Sequence, residues 1–205
     1  MRTTSRCTRR PSSRCLGASG GFTLVELMIV IVVMGIVVTA SIPRLNLEGY
    51  KASAAVRGIT ASLGYAQRLS VSLQHNVVVA FDATTNSIRV HEDENNNNII
   101  DPGERVTSTP VEDGVLFGKG TAPSLTYPNG VAGTTTFNFT RTQGVFPCII
   151  FRRDGSASEN GGFYINTRKG VALGSNNWVR AAEVIRSSGR IIWYSYATNS
   201  WVQGN

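Results

Sequence analysis

The sequence has few of the residues on which most enzyme active sites depend. Of its three cysteines, Cys7 and Cys15 lie among the first 21 residues, so only Cys148 remains after them and no internal disulfide can form there. We interpret Cys148 as a small buried hydrophobe. His75 and His91 are the only histidines, and neither has a nucleophile or a metal-ligand spacing beside it, so we expect both to be solvated. The sequence therefore favours a protein that is not an enzyme.

Acidic residues are absent from residues 1–21, which contain five arginines and so contribute five of the formal net charge of +7. The rest of the chain keeps a charge of only about +2. When an apolar segment crosses a membrane, the end that is flanked by arginines stays on the cytoplasmic side. The basic composition therefore indicates targeting more than nucleic-acid binding.

Charge is also nearly absent from the next 21 residues, Phe22–Ile42, in which Glu26 is the only charged residue. As a helix this segment would be about 31 Å long, which is enough for one bilayer crossing. A carboxylate near the membrane centre costs about 2.5–3.5 kcal/mol, so we expect Glu26 to have a partner. A cut between Gly21 and Phe22 would supply one, because the new α-amino group is positive at neutral pH.

Two other interpretations of this segment remain open. An ordinary secretory signal has a basic leader, an apolar core of about 7–15 residues and small residues such as Thr39-Ala40-Ser41 at its cleavage site. Glu26 and the longer apolar run argue against it. A plain membrane anchor fits the length equally well, but it gives no reason for the ordered sequence GGFTLVE at residues 20–26.

Beyond Pro43, apolar residues recur at intervals of three or four, which predicts an amphipathic helix within residues 43–76. Asn76 tolerates the left-handed conformation and is expected to end this helix. With the apolar run before it, the pattern predicts one long helix that ends at about Gln74. The predicted apolar face consists of Ala52, Val56, Ile59, Leu63, Ala66, Leu69 and Leu73.

From residue 77 to residue 205, short β-rich runs alternate with turn residues, which predicts an antiparallel sheet. Asp82–Asn86 has good hairpin-loop chemistry, and Gly118–Gly133 is expected to be a long surface loop. The predicted fold class is α+β, with a long N-terminal helix packed on a C-terminal antiparallel β domain. The predicted strands are Val77–Phe81, Ser87–His91, Arg105–Ser108, Thr134–Thr140, Cys148–Arg152, Gly162–Thr167, Val179–Arg186 and Arg190–Tyr196.

Residues 93–104 have the spacing of a twelve-residue calcium loop, with oxygen-bearing side chains at the first, third, fifth, ninth and twelfth places. The sixth place is Asn98 where such loops have glycine, although asparagine also adopts the left-handed conformation. The flanks are predicted strands rather than helices, so an Asn-rich turn is the alternative. The calcium interpretation assigns as ligands Asp93, Asn95, Asn97, the Ile99 carbonyl, Asp101 and Glu104; no other cofactor is predicted.

Arginines and aromatic residues occur together near the C terminus, and such groups can hold nucleic acid through phosphate contacts and base stacking. The phosphate contacts would be Arg180, Arg186 and Arg190. The alternative, which we favour, places the arginines on a solvated face and the aromatic side chains in or over the core.

The N-terminal residues resemble the class III signal of type IV pilins and type II secretion pseudopilins. The resemblance rests on the basic leader, the sequence Gly-Phe-Thr-Leu-Val-Glu from Gly21 to Glu26, the apolar helix, and Pro43 at its far end. It implies that a membrane-embedded prepilin peptidase cuts between Gly21 and Phe22 and methylates the Phe22 amine. It also implies that other pilins pack against the N-terminal helix, with Glu26 compensating the Phe22 amine of a neighbour.

This resemblance implies four segments: a prepilin leader (1–21), a transmembrane half-helix (22–42), an amphipathic half-helix (43–76) and a β-rich globular domain (77–205). It implies a single-pass protein of the inner membrane, whose C-terminal domain is periplasmic or lies in an extracellular filament.

The C-terminal part is similar to the GspH/FimT group of minor pilins and pseudopilins, through the spacing of Arg153-Asp154-Gly155-Ser156, a strand, and then Arg180-Ala181 through Val184 to Ser187-Ser188-Gly189-Arg190. This similarity implies a minor subunit that helps to initiate or cap a type IV pilus or a type II secretion pseudopilus. The alternative is a DNA-binding minor pilin that acts in DNA uptake. Some members of the group with that role have a Gly-Arg-x-Arg motif, whose second arginine is replaced here by Ile192.

Overall fold

The structure, a computed structural model, describes residues 21–41, 47–127 and 132–204. The chain divides into two units, residues 1–45 and 46–205. The first unit contains helix α1 (Leu24–Ser41), which is shorter than the predicted segment Phe22–Ile42. None of the helices in the described ranges combines the length and the apolar character that a membrane crossing needs. Residues 1–20 of the predicted leader and the predicted continuation of the helix through Ile42 and Pro43 lie outside the described residues.

The second unit begins with helix α2 (Leu47–Leu73), whose buried face largely follows the predicted stripe. Its buried residues are Gly49, Ala52, Ala55, Val56, Ile59, Leu63, Ala66 and Ser70. Leu73, predicted to be buried, is 41% exposed. Ser70 lies in the buried face instead, because its hydroxyl donates to the Arg152 carbonyl of the sheet domain at 2.9 Å and to the Gln67 carbonyl at 2.8 Å.

The C-terminal end of α2 differs from the prediction by two residues. Gln74 has the left-handed conformation, with φ of 60°, and Asn76 is already the first residue of the following strand. Asn76 is extended because its N–H donates to the Asn96 side chain at 2.9 Å and its backbone pairs with Asp93.

After α2 the described residues form antiparallel strands and a short helix α3 (Arg168–Leu173). One sheet has the order β3-β2-β1-β8-β7 and a second has the order β12-β11-β10-β9-β4, while β5 and β6 pair with each other. The strands are β1 (Asn76–Asp82), β2 (Ser87–Asp93), β3 (Val106–Pro110), β4 (Val115–Phe117), β5 (Leu125–Thr126), β6 (Ala132–Gly133), β7 (Thr142–Gln143), β8 (Phe146–Phe151), β9 (Gly161–Thr167), β10 (Arg180–Val184), β11 (Ile191–Ala197) and β12 (Ser200–Gln203).

The α2 helix packs on both sheets and shares one apolar core with them. Alternate residues of β1 point to opposite faces, so Val77, Val79 and Phe81 enter this core while Val78 and Ala80 join Cys148 on the other face. Cys148 is buried, as predicted, and burial raises the pKa of its thiol to about 11. The predicted α+β fold class, with a helix packed on an antiparallel sheet domain, is confirmed.

Some predicted elements are wrong. The predicted strand Thr134–Thr140 is irregular, and only Phe137 in it pairs with β9. The surface loop predicted at Gly118–Gly133 instead contains β5 and β6, and it helps to cover a second apolar cluster that includes Tyr127 and Tyr164. Helix α3 and strands β4 and β12 have no counterpart in the prediction. All three are short, and β4 and β12 lie at sheet edges, where side-chain periodicity is weak.

Candidate functional site

The N-terminal segment enters α1 through a side-chain cap. The Thr23 hydroxyl accepts a hydrogen bond from the Glu26 N–H at 3.2 Å, and the Thr23 carbonyl accepts one from the Leu27 N–H at 3.1 Å. Glu26 therefore lies in the first turn, where the helix dipole stabilises a negative charge. Gly21 and Phe22 precede the helix and are exposed.

Apolar side chains cover α1 on every side. The five consecutive residues from Leu27 to Ile31 are all exposed in the single chain. Because an α-helix has 3.6 residues per turn, these five side chains span its whole circumference. A helix that is apolar all round requires apolar surroundings, such as other helices or lipid.

The comparison with known families matches this segment. Residues 17–42 fit the family model described as the prokaryotic N-terminal methylation motif. The segment is a type IV pilin-like signal. Such a signal implies processing by prepilin peptidase, assembly with other pilins and a membrane anchor, and it suggests a structural subunit. No curated protein and no solved structure matches the chain.

The Asn-rich loop between β2 and β3 is organised around Asp93, which is fully buried at the end of β2. The Asp93 carboxylate accepts hydrogen bonds from the Asn97 and Asn98 N–H groups at 3.0 and 2.9 Å. Asn96 and Asn98 have positive φ values of 61° and 62°, which asparagine adopts more readily than most residues. The expected left-handed conformation at Asn98 is therefore present.

Asp101 occupies the middle of the same loop. One of its carboxylate oxygens accepts from the side-chain amides of Asn95 and Asn97, both at 2.7 Å. The Asn97 side-chain oxygen in turn accepts from the Ile99 N–H at 2.6 Å. These bonds pair the predicted ligand side chains with one another and with the loop backbone.

Glu104 closes the loop through three hydrogen bonds. Its carboxylate accepts from the backbone N–H groups of Asp101 at 2.8 Å and Glu94 at 3.1 Å, and it lies 2.8 Å from His91 Nε2. The Asp101 N–H, followed by His91, lowers the pKa of Glu104. The expectation that His91 is solvated is wrong: its ring is fully buried, and its Nδ1 lies 2.8 Å from the Gln143 amide.

All six predicted calcium ligands thus belong to one ordered loop. Within the part of the chain that the structure describes, no group of three or more His, Cys, Asp or Glu side chains is arranged to hold a metal ion. The carboxylates face N–H donors of the loop, which an Asn-rich turn also explains. Calcium binding stays a prediction.

Arg180 is structural. Its side chain is buried, and burial lowers the pKa of its guanidinium. The guanidinium donates to Ser53 Oγ at 3.2 Å and to the Gly49 carbonyl at 3.3 Å, both in the first turns of α2, and also to the Val179 carbonyl at 2.9 Å. Arg180 therefore connects β10 to α2, and its guanidinium nitrogens are engaged in these hydrogen bonds.

Arg186 and Arg190 are exposed in the turn between β10 and β11. The aromatic residues near them do not form an exposed stacking surface: Tyr194 and Tyr196 are buried, and Trp193 packs against the core. For Arg186, Arg190 and the aromatic side chains this arrangement agrees with the favoured alternative, but the expectation of a solvated face is wrong for Arg180, which is buried.

Gln67 makes a contact that the sequence did not indicate. Its side-chain amide donates to the carbonyls of Gly155 and Ser188, both at 2.8 Å. These residues lie in the two reversals whose sequences resemble the GspH/FimT group. In the sequence, Gly155 and Gly189 lie in tetrapeptides that are typical of turns. No sequence pattern indicated that either tetrapeptide would contact α2.

A buried carboxylate was also missed. Glu183 is fully buried in β10, and the Tyr194 hydroxyl of β11 donates to it at 3.0 Å. Burial, followed by the contact with Glu183, raises the pKa of Tyr194 to about 12. The sequence of the predicted strand Val179–Arg186 does not indicate whether its glutamate side chain faces solvent or a neighbouring hydroxyl.

Proposed function

We propose that this chain is a prepilin that is cut between Gly21 and Phe22, methylated at the Phe22 amine and assembled into a type IV pilus or a type II secretion pseudopilus. The observation that carries the proposal is the match of residues 17–42 to the N-terminal methylation motif. The capped helix start, with Glu26 as the only charged residue of an apolar helix, supports it.

In this proposal Glu26 is an assembly residue. Cleavage leaves a positive amine on Phe22, four residues before Glu26 along the chain. Within one chain, the first turn of α1 holds Glu26 close to its own amine; between chains packed side by side, Glu26 meets the amine of a neighbour. A carboxylate in apolar surroundings is costly without a counter-charge, so pairing with the amine of a neighbouring chain favours packed helices over isolated ones, whereas pairing within one chain lowers the cost of the isolated helix.

The same segment would hold the subunit in the inner membrane before assembly. Helix α1 has 18 residues and is about 27 Å long, somewhat less than a typical hydrocarbon core. The apolar sequence extends past both ends of the helix, from Phe22 to Ile42. A short segment is accommodated by local thinning of the bilayer, at a cost of a fraction of a kcal/mol per Å of mismatch. The β-rich unit would then be periplasmic or lie on the outside of the filament.

A minor role, in initiating or capping the filament, follows from the resemblance to the GspH/FimT group. Two of the segments on which this resemblance rests, Arg153–Ser156 and Ser187–Arg190, both accept hydrogen bonds from Gln67, and the backbones of Gly155 and Gly189 approach closely there. Because both sequences take part in the same contact with α2, their occurrence together supports the proposed assignment to the GspH/FimT group. The burial of Arg180 removes one of the three predicted phosphate contacts and so weakens the alternative of a DNA receptor.

The experiment is the substitution Glu26→Ala in cells that carry the peptidase and the partner pilins. We expect the variant to enter the membrane and to be cut, because the substitution removes an unfavourable charge from apolar surroundings. We expect its incorporation into sheared filaments to fall. Glu48→Ala, in the first turn of α2, is the matched control and should leave incorporation unchanged. Normal incorporation of Glu26→Ala beside wild-type partners would contradict the proposed role.

A further inference from the structure

Two loops at the C-terminal end of α2 border an open cavity of about 410 Å³, whose described lining has basic and hydroxyl groups and no acidic side chain. One loop follows β8 and the other follows β10. The lining residues are Arg152, Ser156, Asn160, Ile185, Arg186 and Ser187.

The wall of this cavity is held by a network of backbone bonds. The Arg186 N–H donates to the Asn160 side chain at 2.7 Å, and the Arg186 carbonyl accepts from the Ala157 N–H at 2.9 Å. The Arg152 N–H donates to the Ser156 carbonyl at 2.8 Å. The side-chain amide of Gln67, on α2, donates a hydrogen bond to each of the two loops. The backbone positions of both arginines are therefore fixed before any ligand binds.

The two guanidinium groups keep most of their donors free. Arg152 donates one N–H to the Ala157 carbonyl at 3.3 Å, while the Arg186 guanidinium has no hydrogen-bond partner among the described residues. Across the described ranges, the close ion pairs are His91 with Glu104 and Arg105 with Glu92, so neither Arg152 nor Arg186 has a carboxylate within 4.0 Å.

The acid nearest to Arg152 in sequence, Asp154, is not among the described residues that line this cavity. Its carboxylate accepts from the Ser156 hydroxyl at 2.6 Å and from the Ser156 N–H at 2.9 Å, and these bonds, followed by the charge of Arg152, hold its pKa below the ordinary value. Asp154 lines the two neighbouring cavities, one with Arg152 and Arg153 and the other with Arg68. An anion that entered those cavities would meet this carboxylate, whereas the described lining of the cavity of Arg152 and Arg186 contains no carboxylate.

We propose that the cavity between Arg152 and Arg186 binds a carboxylate side chain of a partner protein, so that this end of the domain docks an acidic segment of another subunit. The choice of a protein partner rests on the proposed function as an assembly subunit. A nucleic acid is disfavoured because the described residues that line the cavity include no aromatic side chain to stack a base, and because Asp154 lies beside Arg152 and Arg153, along which a phosphate backbone would run. Arginine pairs suit carboxylates because the planar guanidinium donates two parallel hydrogen bonds.

The test is a fluorescence-anisotropy titration of the full chain in detergent with a labelled peptide that contains four consecutive glutamates. We expect binding that is lost when glutamine replaces each glutamate of the peptide. Arg186→Ala should weaken binding about tenfold or more, since a hydrogen-bonded charged contact is removed. Arg153→Ala, which makes the same change of charge next to the cavity, should weaken it no more than about twofold.

A second variant and a second probe keep the test decisive. Arg186→Lys retains the charge without the planar guanidinium and should bind the peptide with intermediate affinity. This variant replaces Arg186→Ala in the test if Arg186→Ala fails to fold. Equal weakening by Arg186→Ala and Arg153→Ala, or no binding at millimolar peptide, would overturn the proposal. Tighter, Arg186-dependent binding of an oligonucleotide would assign the cavity to nucleic acid instead. Because the titration requires neither cleavage nor filaments, its result is independent of the proposed function.

Discussion

The side-chain amide of Gln67 donates to the carbonyl oxygen of Gly155 at 2.8 Å, across 88 positions of sequence. The same amide donates to Ser188 at 2.8 Å. One residue of α2 therefore joins the reversal after β8 to the reversal after β10, and so joins the two five-stranded sheets at this end of the domain.

Replacing Gln67 with alanine should lower the free energy of unfolding of the globular unit by about 1–3 kcal/mol, because two backbone carbonyls lose their donor. The measurement is chemical denaturation of the full chain in detergent, followed by tryptophan fluorescence. Ser62→Ala is the control, since the Ser62 hydroxyl bonds only to Gly58 of its own helix, and it should change stability by less than about 0.5 kcal/mol. Equal effects of the two substitutions would show that Gln67 does not hold the loops together.

Gly189 should be intolerant of a side chain. Its φ is 63°, and a Cβ there would collide with the Gly155 carbonyl oxygen and the Gln67 amide. Gly189→Ala therefore combines the cost of a left-handed alanine, about 1–2 kcal/mol, with the cost of overpacking, about 1–3 kcal/mol. Gly174→Ala is the matched control, because Gly174 has φ of 62° but no atom within 4 Å of the added Cβ. A loss of stability no greater than that of the control would contradict the close approach of the two turns.

The elements that the sequence predicts well are those whose periodicity is long and regular. The face of α2 from Ala52 to Ala66 was recognisable because apolar residues recur every three or four positions through about four turns. Leu73 broke the pattern because Ser70 binds a sheet carbonyl, a tertiary contact that no local pattern contains.

At the candidate sites, too, the sequence did not reveal contacts between distant parts of the chain. The Asn-rich loop could be located by its spacing, yet the burial of His91 between Glu104 and Gln143 depends on Gln143, which lies 52 positions away. Arg180 looked like its neighbours Arg186 and Arg190, although the first is enclosed by α2 and the others are exposed. Burial of a strand residue is decided by what packs on the strand, and the sequence of the strand does not contain that information.

The calcium prediction for residues 93–104 has a direct test. If the loop binds calcium, millimolar calcium should raise the melting temperature of the full chain by mass action, and Glu104→Gln should abolish that rise by removing the bidentate ligand. Each variant is compared with itself with and without calcium, because Glu104→Gln also alters the contact with His91. Glu112→Gln, outside the loop, should keep the wild-type response. If calcium shifts neither the wild type nor the Glu112→Gln variant, the loop is an Asn-rich turn without a metal.

Amino-terminal sequencing of the membrane-extracted protein shows whether the chain is a prepilin. In cells that contain the peptidase, we predict a mature chain that starts at Phe22 with a methylated amine. Gly21→Val should leave the leader attached, because the peptidase needs a small residue before the cut, whereas Gly35→Val, within α1, should still be processed. A wild-type chain that starts at Ile42, or one that keeps its leader, would contradict the account.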